Sequence, residues 1–334
     1  MDIVRDMADV PAELRGAVVA LGNFDGVHRG HREVIAIAQA RAAELGARAG
    51  VMSFHPHPRR YFSPDSRFFR LTPQPLKLRL LEALGVDAVF IVPFDAALAA
   101  LSPDTFVDRI LVTALAVRHV VAGWDFHFGA KRAGNAEVLE RLGEAHGFGV
   151  TIAAPKSNAA GEAYSSTAVR RLLAAGDPRC AAAILGYRWR IVETVISGAG
   201  RGAGLGFPTI NMALDAGMEL AHGIYAVRVH ACGRVFGGAA YHGTRPTFGD
   251  TEPFLETYLF DFDGDLYGRE VEIEFIEYLR GDRAFASESE LRDQMARDCA
   301  SARAVIDGLR DDGMLMIAAP ACLGDQRADP LGAR

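Results

Sequence analysis

The chain has little cysteine, no excess of positive charge and no long hydrophobic run. Its 334 residues include four cysteines, Cys180, Cys232, Cys299 and Cys322, which lie far apart in the sequence. This spacing forms neither a C-x-x-C pair nor a Cys/His cluster, so it indicates reduced thiols rather than a disulfide framework or a zinc site. Lys and Arg number 36 against 42 Asp and Glu, a formal net charge of −6 that argues against a nucleic-acid partner.

Membrane segments and targeting signals are also missing from the sequence pattern. No apolar run approaches the ~20 residues that a membrane-spanning helix needs. The first residues, M-D-I-V-R-D, lack the basic region and apolar stretch of a secretory signal. We therefore expect no membrane partner and a cytoplasmic location. At ~150 residues per domain, the length instead predicts two domains.

The pattern of apolar residues changes near Gly186. Before it, apolar runs alternate with segments of helical period, which predicts βα units around a parallel sheet. The strands are predicted at 17–21, 49–54, 88–92, 119–122 and 150–153, and the helices at 31–45, 73–84, 103–115 and 136–146. After it, alternating runs at 190–196, 224–230, 235–241, 255–262 and 271–278 predict an antiparallel sheet or small barrel, and a capping box at Ser287 and Glu290 predicts a final helix to about 309. We predict domains at 1–186 and 187–312 and a disordered tail at 313–334.

The strongest local signal is G-N-F-D-G-V-H-R-G-H at 22–31, between the first predicted strand and the first predicted helix. Helix N-terminal amides favour phosphate, and small residues such as Gly22 and Gly30 allow a close approach. The imidazoles of His28 and His31 can stabilise charge that develops on a phosphoryl group. We interpret this segment as a phosphate site; the alternative is two polar histidines at a helix start.

A second candidate phosphate site is Y-S-S-T-A-V-R at 164–170, also just before a predicted helix. The hydroxyls of Ser166 and Thr167 and the guanidinium of Arg170 can bind a phosphate tail together. The alternative is an ordinary helix cap with a solvated arginine.

Polar and aromatic residues follow two further predicted strands, in F-H-P-H-P at 54–58 and G-W-D-F-H-F-G at 123–129. Ligands bind at the carboxyl ends of strands in open parallel sheets. Phe126 and Phe128 can sandwich a planar ring there, and Asp125 can accept hydrogen bonds from hydroxyls. Core packing is the alternative for both phenylalanines.

The second half contains G-A-G-R-G-A-G-L-G-F-P-T-I-N at 198–211. Its first part fits a dinucleotide fingerprint, but Pro208 and the remaining glycines prevent the helix that must follow. We expect a glycine-rich flap over nucleotide phosphates, with Thr209 and Asn211 offering oxygens to Mg²⁺ or phosphate; a long flexible hairpin is the alternative. Glu256, in a strand-like run, can act as a general base, although alternation alone places it on a solvated face.

The order of these motifs resembles the bacterial bifunctional riboflavin kinase/FMN adenylyltransferase (FAD synthetase) family over residues 15–305. The first half of the resemblance rests on the motifs at 22–31 and 164–170, P-H-P after the second strand and G-x-D-F-x-F-G-x-x-R-x-G from 123. The second half rests on L-G-F-P-T-x-N from 205, G-I-Y-A from 223, G-T-R-P-T-F from 243, Glu256 and D-L-Y-G from 265. The resemblance implies an α/β Rossmann-like nucleotidyltransferase domain followed by a six-stranded antiparallel β-barrel with a C-terminal helix.

The resemblance also implies roles for individual residues, with riboflavin, FMN and ATP as small-molecule substrates. Glu256 would be the base of the kinase step, with Mg²⁺ held by Thr209 and Asn211. His28 and His31 would stabilise adenylyl transfer to FMN, giving FAD and pyrophosphate. Further ATP-binding residues would be Gly22, Asn23, Phe24, Asp25, Gly30, Ser166, Thr167, Arg170 and Gly206, besides Thr209 and Asn211, and the flavin-binding residues would be His57, Asp125, Phe126, Phe128 and Arg245.

Several positions depart from the family's usual pattern. They are His55, Leu76, Glu193, Ala203 and the pair Tyr241 and His242. Most of them lie in the kinase half. An alternative interpretation is therefore a paralogue that has one active half or that uses a modified flavin substrate. A flavin- or nucleotide-binding regulatory protein without turnover is another, and a nicotinamide dehydrogenase rests only on the interrupted fingerprint. The sequence makes no prediction of oligomeric state.

Overall fold

The structure, a computed structural model, describes residues 1–64, 68–157, 161, 163–198, 204, 206–247, 250–311 and 313–317. The chain folds into two compact units, Met1–Ala168 and Val169–Arg334. Residues 318–334 of the predicted tail lie outside the described residues, as do flap residues 199–203 and 205.

The first unit is built on a six-stranded parallel sheet, as the alternating pattern predicts. Its strands are β1 Asp2–Val4, β2 Val18–Leu21, β3 Ala49–His55, β4 Ala88–Pro93, β5 His119–Gly123 and β6 Gly149–Ala153. They pair in the order β1-β4-β3-β2-β5-β6. Both faces of β2 are buried, which suits its run of Val and Ala. The strand order reverses at β2, so the loop that follows β2 lies at the topological switch point where ligands bind in such sheets.

Helices flank this sheet in the predicted rhythm. They are α1 Arg29–Leu45, α2 Pro58–Phe62, α3 Gln74–Ala83, α4 Ala96–Ala99, α5 Pro103–Phe106 and α6 Ala136–His146, with a π-helical segment at Val107–Ala114 and 3-10 turns at Ala12–Leu14 and Ala130–Arg132. Left-handed Gly46 and Gly147, with φ of 59° and 77°, end α1 and α6. Glycine suits both positions, since a side chain is strained in that conformation.

The second unit holds a curled six-stranded antiparallel sheet. After α7 Ser166–Ala174 and α8 Pro178–Leu185 come β7 Arg190–Thr194, β8 Thr209–Ala213, β9 Gly223–Ala231, β10 Arg234–Thr247, β11 Asp250–Leu259 and β12 Glu270–Arg280. The strand order is β7-β12-β9-β10-β11-β8. Ile196 N donates to Asn211 O at 2.8 Å, which joins the ends of the first and last strands of that order. The predicted small barrel is therefore confirmed.

The last helix, α9 Glu288–Asp307, covers one side of this sheet. The predicted cap forms, since Glu290 N donates to Ser287 Oγ at 3.2 Å, but Glu290 Oε2 accepts from Ala286 N at 3.0 Å, one residue before the position that a capping box uses. Ala302 is buried with Ala226 of β9 and Phe260 in a small apolar cluster. The helix thus packs on the sheet through this apolar cluster.

A buried ionic network joins strands β7, β9 and β12 of the barrel. Arg190 pairs with Glu272 at 2.6 Å and with Glu274 at 2.5 Å. Arg228 pairs with Glu274 and, at 2.8 Å, with Asp311. Asp311 follows α9, so the network holds the segment after the helix against the sheet.

Candidate active sites

The loop between β2 and α1 has a strained backbone that neighbouring segments hold in place. Phe24 and Val27 have positive φ of 50° and 39°, a conformation that costs a non-glycine residue of order 1–3 kcal/mol. The buried carboxylate of Asp25 accepts hydrogen bonds from Leu71 N and Thr72 N, each at 3.1 Å, and from Thr72 Oγ1 at 3.3 Å. The Asp25 carboxylate therefore holds the loop against the segment that contains Leu71 and Thr72.

His28 and His31 lie together at the N-terminus of α1, as predicted. Nδ1 of His28 accepts from His31 N at 3.3 Å, and the two rings stack with centroids 3.6 Å apart. Because Nδ1 of His28 accepts, the neutral ring carries its proton on Nε2 and can donate from there. Burial, followed by the charges of His28 and Lys77, holds the pKa of His31 well below its usual value, so His31 is neutral at pH 7. Nδ1 of His31 is buried and has no hydrogen-bond partner among the described residues.

The second predicted phosphate motif lies directly against the first, although more than a hundred residues of chain separate them. Ser166 Oγ donates to Asp25 O at 2.7 Å. A Cβ at Gly30 would lie 3.1 Å from both Tyr164 O and the His28 ring, so only glycine fits there without displacing one of them. Thr167 is exposed in the first turn of α7, and Arg170 lies one turn further along that helix. The structure thus brings Ser166 and Thr167 to the helix that carries the two histidines.

The predicted flavin residues of this unit separate into core and surface positions. Phe128 is buried against Phe106, with ring centroids 5.6 Å apart, and belongs to the core. Phe126 is half-buried and stacks on Phe128 at 5.9 Å, while Asp125 is exposed. Sequence reasoning does not select Trp124, whose 58% exposure after a buried strand marks it as a candidate for ring stacking.

His57, the remaining flavin candidate of the first unit, caps a short helix. Its Nδ1 accepts from Arg59 N at 3.1 Å, and its ring packs on Phe68 with centroids 4.7 Å apart. Exposed Phe62 lies nearby in sequence and packs edge-on against Phe94, which follows β4. Phe62 is a further aromatic surface that the sequence motifs do not identify.

Lys77 is the main charged residue of this site that sequence reasoning misses. It lies in the first turn of α3 and is only 5% exposed. Its Nζ donates to Asn23 O at 2.8 Å and to Ser53 Oγ at 3.2 Å. The helical spacing of α3 places position 77 beside apolar Leu76, Leu80 and Leu81 on the buried face, and an ammonium at such a position is itself an unusual signal.

The second unit brings Asn211, Glu256 and Tyr241 into one row. Asn211 on β8 and Tyr241 on β10 are the direct cross-strand partners of Glu256 on β11. Directly opposed residues share a face and have close Cβ atoms. Thr209, opposite Tyr258, lies on the same face, so three predicted kinase residues meet there. Arg245 pairs with Glu252 in the backbone register of β10 and β11; its side chain is outside the described residues.

The flap that precedes β8 is described only in part. Gly206 has a left-handed φ of 88°, which a side chain would strain. Gly198 packs against the Asn211 amide so closely that a Cβ would overlap it. The predicted flap therefore has glycine for a structural reason at both ends.

The side chains of Tyr241 and His242, the unusual pair, lie on opposite faces of the sheet. Burial raises the pKa of the Tyr241 phenol, as do the Asp282 carboxylate, its hydrogen-bond partner, and the charge of Glu256. His242 is 1% exposed in the barrel interior, where burial lowers its pKa to about 4. Its Nδ1 donates to Ala221 O at 3.2 Å. Tyr241 therefore adds a phenol beside the candidate base, whereas His242 is neutral core.

Two family models match the chain, FAD synthetase over residues 10–168 and riboflavin kinase over residues 185–306. The bifunctional riboflavin kinase/FMN adenylyltransferase of Pseudomonas fluorescens is 40% identical over 306 residues, which cover 91% of this chain and 98% of that protein. The protein of the same name from Escherichia coli (strain K12) is 38% identical over 301 residues, which cover 90% and 95%. The two matched regions follow the predicted order of the two domains.

A crystal structure from Streptococcus pneumoniae, described as a macrolide-efflux protein, has a similar fold. It superposes with a TM-score of 0.81 and 27% identity over 92% of this chain and 99% of that one. Within the part of the present chain that the structure describes, no helix is long and apolar enough to span a bilayer. Relatives that match along nearly their whole length, together with both catalytic domains in the same order, establish that the chain belongs to the bifunctional riboflavin kinase/FMN adenylyltransferase family.

Proposed function

We propose that the second unit phosphorylates riboflavin to FMN and that the first unit adenylylates FMN to FAD, each with its own ATP. The observation that carries this proposal is that each unit gathers a phosphate-chemistry site from distant sequence motifs. The hydrogen bond from Ser166 to Asp25 O joins the motifs of the first unit. The cross-strand pairing of Glu256 with Asn211 joins those of the second.

In the kinase step, the Glu256 carboxylate accepts the proton of the ribityl 5′-hydroxyl of riboflavin. The resulting oxygen attacks the γ-phosphorus of ATP, the bond to the bridging oxygen breaks, and ADP leaves. Glu256 is half-buried on an inner strand of the sheet, which fixes the direction of its carboxylate. Tyr241 borders it on one side and Asn211 on the other.

The oxygen donors around Glu256 suit Mg²⁺. The cation prefers oxygen ligands, takes few of them from protein and shares the rest between water and phosphate. Thr209 and Asn211 would hold it on the face that carries Glu256. Bound there, Mg²⁺ would neutralise charge on the ATP phosphates. Elsewhere in the described residues no group of three His, Cys, Asp or Glu side chains is arranged to hold a metal.

In the adenylyl step, an oxygen of the FMN phosphate attacks the α-phosphorus of ATP and pyrophosphate leaves. This phosphate is largely ionised at neutral pH because its second pKa is near 6, so no protein base is needed. His28 and the neutral imidazole of His31 donate hydrogen bonds to the phosphate oxygens, at a helix N-terminus that already favours anions. Ser166 and Thr167, at the N-terminus of α7, bind the remaining phosphates.

The test is to incubate the protein with Mg²⁺, ATP and either riboflavin or FMN, and to separate the flavins by chromatography over time. We expect riboflavin to give FMN and then FAD, and FMN to give FAD directly. FAD from FMN without any product from riboflavin would show that the barrel is inactive or takes another flavin. The absence of product from both substrates would reject catalysis and favour a binding protein.

A further inference from the structure

The buried ammonium of Lys77 is not accounted for by the fold of its helix. The first turn of a helix disfavours a positive charge because the macrodipole is positive there. Burial adds a desolvation cost, and Leu76, Leu80 and Leu81 form the rest of the buried face of α3. A methionine would fill this position at lower cost in stability. The lysine therefore has a task outside its own helix.

The hydrogen-bond partners of Lys77 Nζ indicate this role. The ammonium donates to the carbonyl oxygen of Asn23 at 2.8 Å and to Ser53 Oγ at 3.2 Å, and Ser53 Oγ itself donates to Asn23 O at 3.2 Å. Asn23 directly precedes Phe24, the first strained residue of the loop. Lys77 and Ser53 thus tie the start of the phosphate loop to β3.

The charge of Lys77 acts on the same site. Its ammonium is close enough to His31 to contribute to the lowered pKa of that imidazole. Within the described residues, the charged or titratable groups that face Lys77 are Asp25, Arg70, His31 and His55. Of these four, only Asp25 is negatively charged, and its carboxylate is directed to Leu71 and Thr72. The surroundings of Lys77 thus carry an excess of positive charge.

We infer that Lys77 is a positioning residue for adenylyl transfer: its buried ammonium clamps the carbonyl of Asn23, fixing the loop that presents His28 and His31. The inference rests on the proposed function of the first unit. Burial, with smaller contributions from the charges of His28 and Lys77, holds His31 neutral, so that this imidazole meets phosphate as a hydrogen-bond donor rather than as a cation. Because burial lowers the pKa of Lys77 to about 8, the charge is lost within an accessible pH range.

The experiment compares Lys77→Met and Lys77→Arg with the wild-type full-length chain, and measures FAD formation from FMN and FMN formation from riboflavin. We expect Lys77→Met to lower kcat for FAD formation by about 100-fold, the scale of a ~1 Å misplacement of catalytic groups, with FMN formation within twofold of wild type. We expect Lys77→Arg to recover at least a tenth of the wild-type rate, since it keeps the charge and donors. The matched control is Lys156→Met, which removes an exposed lysine paired with Glu33 and should leave both rates within twofold.

The pH profile separates positioning by charge from simple packing. Wild-type FAD formation should fall as pH rises through about 8, where Lys77 loses its proton, and this limb should be absent in Lys77→Arg because arginine stays charged. Three results would overturn the inference: FAD formation within threefold of wild type in Lys77→Met, equal loss of both activities in that variant, or an unchanged alkaline limb in Lys77→Arg. A wild-type chain that makes no FAD from FMN would reject the proposed function itself, which is a distinct outcome.

Discussion

In the stacked pair of His28 and His31, the second imidazole is held neutral. Burial and the positive charges nearby depress the pKa of His31, so the folded chain binds fewer protons than the unfolded one below the usual histidine pKa. The contribution of this residue to stability is therefore complete above about pH 6.5 and declines as pH falls below it. The neutral His31 keeps its donor available at the pH where the FMN phosphate is ionised.

Replacing both histidines should separate the two activities. We expect His28→Ala with His31→Ala to lower FAD formation from FMN by at least about 100-fold, because the phosphate loses two donors that act on the transition state. FMN formation from riboflavin should stay within twofold, since Glu256 lies in the other unit. Steady-state rates of both products measure this, with His146→Ala at the exposed end of α6 as the control. Parallel loss of both products would contradict the division of labour.

Glu256 carries the corresponding prediction for the barrel. Glu256→Gln keeps the size of the side chain but removes its ability to accept a proton, so FMN formation should fall by about 10²–10⁴-fold. FAD formation from supplied FMN should be unchanged. The control is Glu270→Gln, an exposed carboxylate at the start of β12. Riboflavin phosphorylation at the wild-type rate in Glu256→Gln would exclude this residue as the base.

At the scale of elements, the buried ionic network determines how firmly the outer strands of the barrel are held. Arg190 of β7 is the shared partner of Glu272 and Glu274 on β12. Against the opposing effect of burial, the neighbouring His230 and the charges of Arg190 and Arg228 hold the pKa of Glu274 at about 2. Because the folded-state pKa is depressed, this stabilisation is present above the ordinary glutamate pKa and declines as pH falls toward 2.

Removing the shared arginine should destabilise the barrel strongly. Arg190→Met removes the partner that two buried carboxylates share, which should lower the free energy of unfolding by about 3–5 kcal/mol. Arg179→Met is the matched control, because Arg179 is 70% exposed and pairs with Glu277 at the surface; its effect should be below about 1 kcal/mol. Urea unfolding followed by circular dichroism measures both. Equal effects of the two variants would show that the network adds nothing beyond a surface pair.

Local signals explain which elements could be predicted from sequence. The predicted bounds of α1 and α6 agree with the structure to within two residues because Gly46 and Gly147 stop them locally. The three-residue β1 forms only because β4 pairs with it across more than 80 residues of chain, which no local pattern encodes. Strand β8 is likewise absent from the sequence prediction, since its pairing with β11 makes a strand of what sequence reasoning treats as the end of a flap.

The same distinction applies to the sites. His28, His31 and Ser166 could be predicted because their motifs lie at the starts of predicted helices, where phosphate binding is favoured. Lys77 could not, because its hydrogen bonds to Asn23 O and Ser53 Oγ are set by tertiary packing. Phe128 illustrates the reverse case: an aromatic residue after a strand fits a ligand site by pattern, but packing against Phe106 makes it core.

At the scale of the whole molecule, two units carry two consecutive reactions linked by FMN. The predicted sites use separate residues: the histidines lie in Met1–Ala168 and Glu256 in Val169–Arg334. FMN is a small, charged and water-soluble product of the first reaction and a substrate of the second. If each unit works with its own residues, FMN released by one chain can be used by another.

Mixing two inactive variants should therefore restore the complete conversion. Alone, Glu256→Gln should make no flavin product from riboflavin, and the double variant of His28 and His31 should stop at FMN. Together they should convert riboflavin to FAD, after a lag in which FMN accumulates to the level that the intact first unit requires. Chromatography of samples taken through the lag measures free FMN and FAD in the same mixture. If the wild-type chain, run alongside, makes FAD from riboflavin with no lag and no free FMN, FMN passes between the sites of one chain without release.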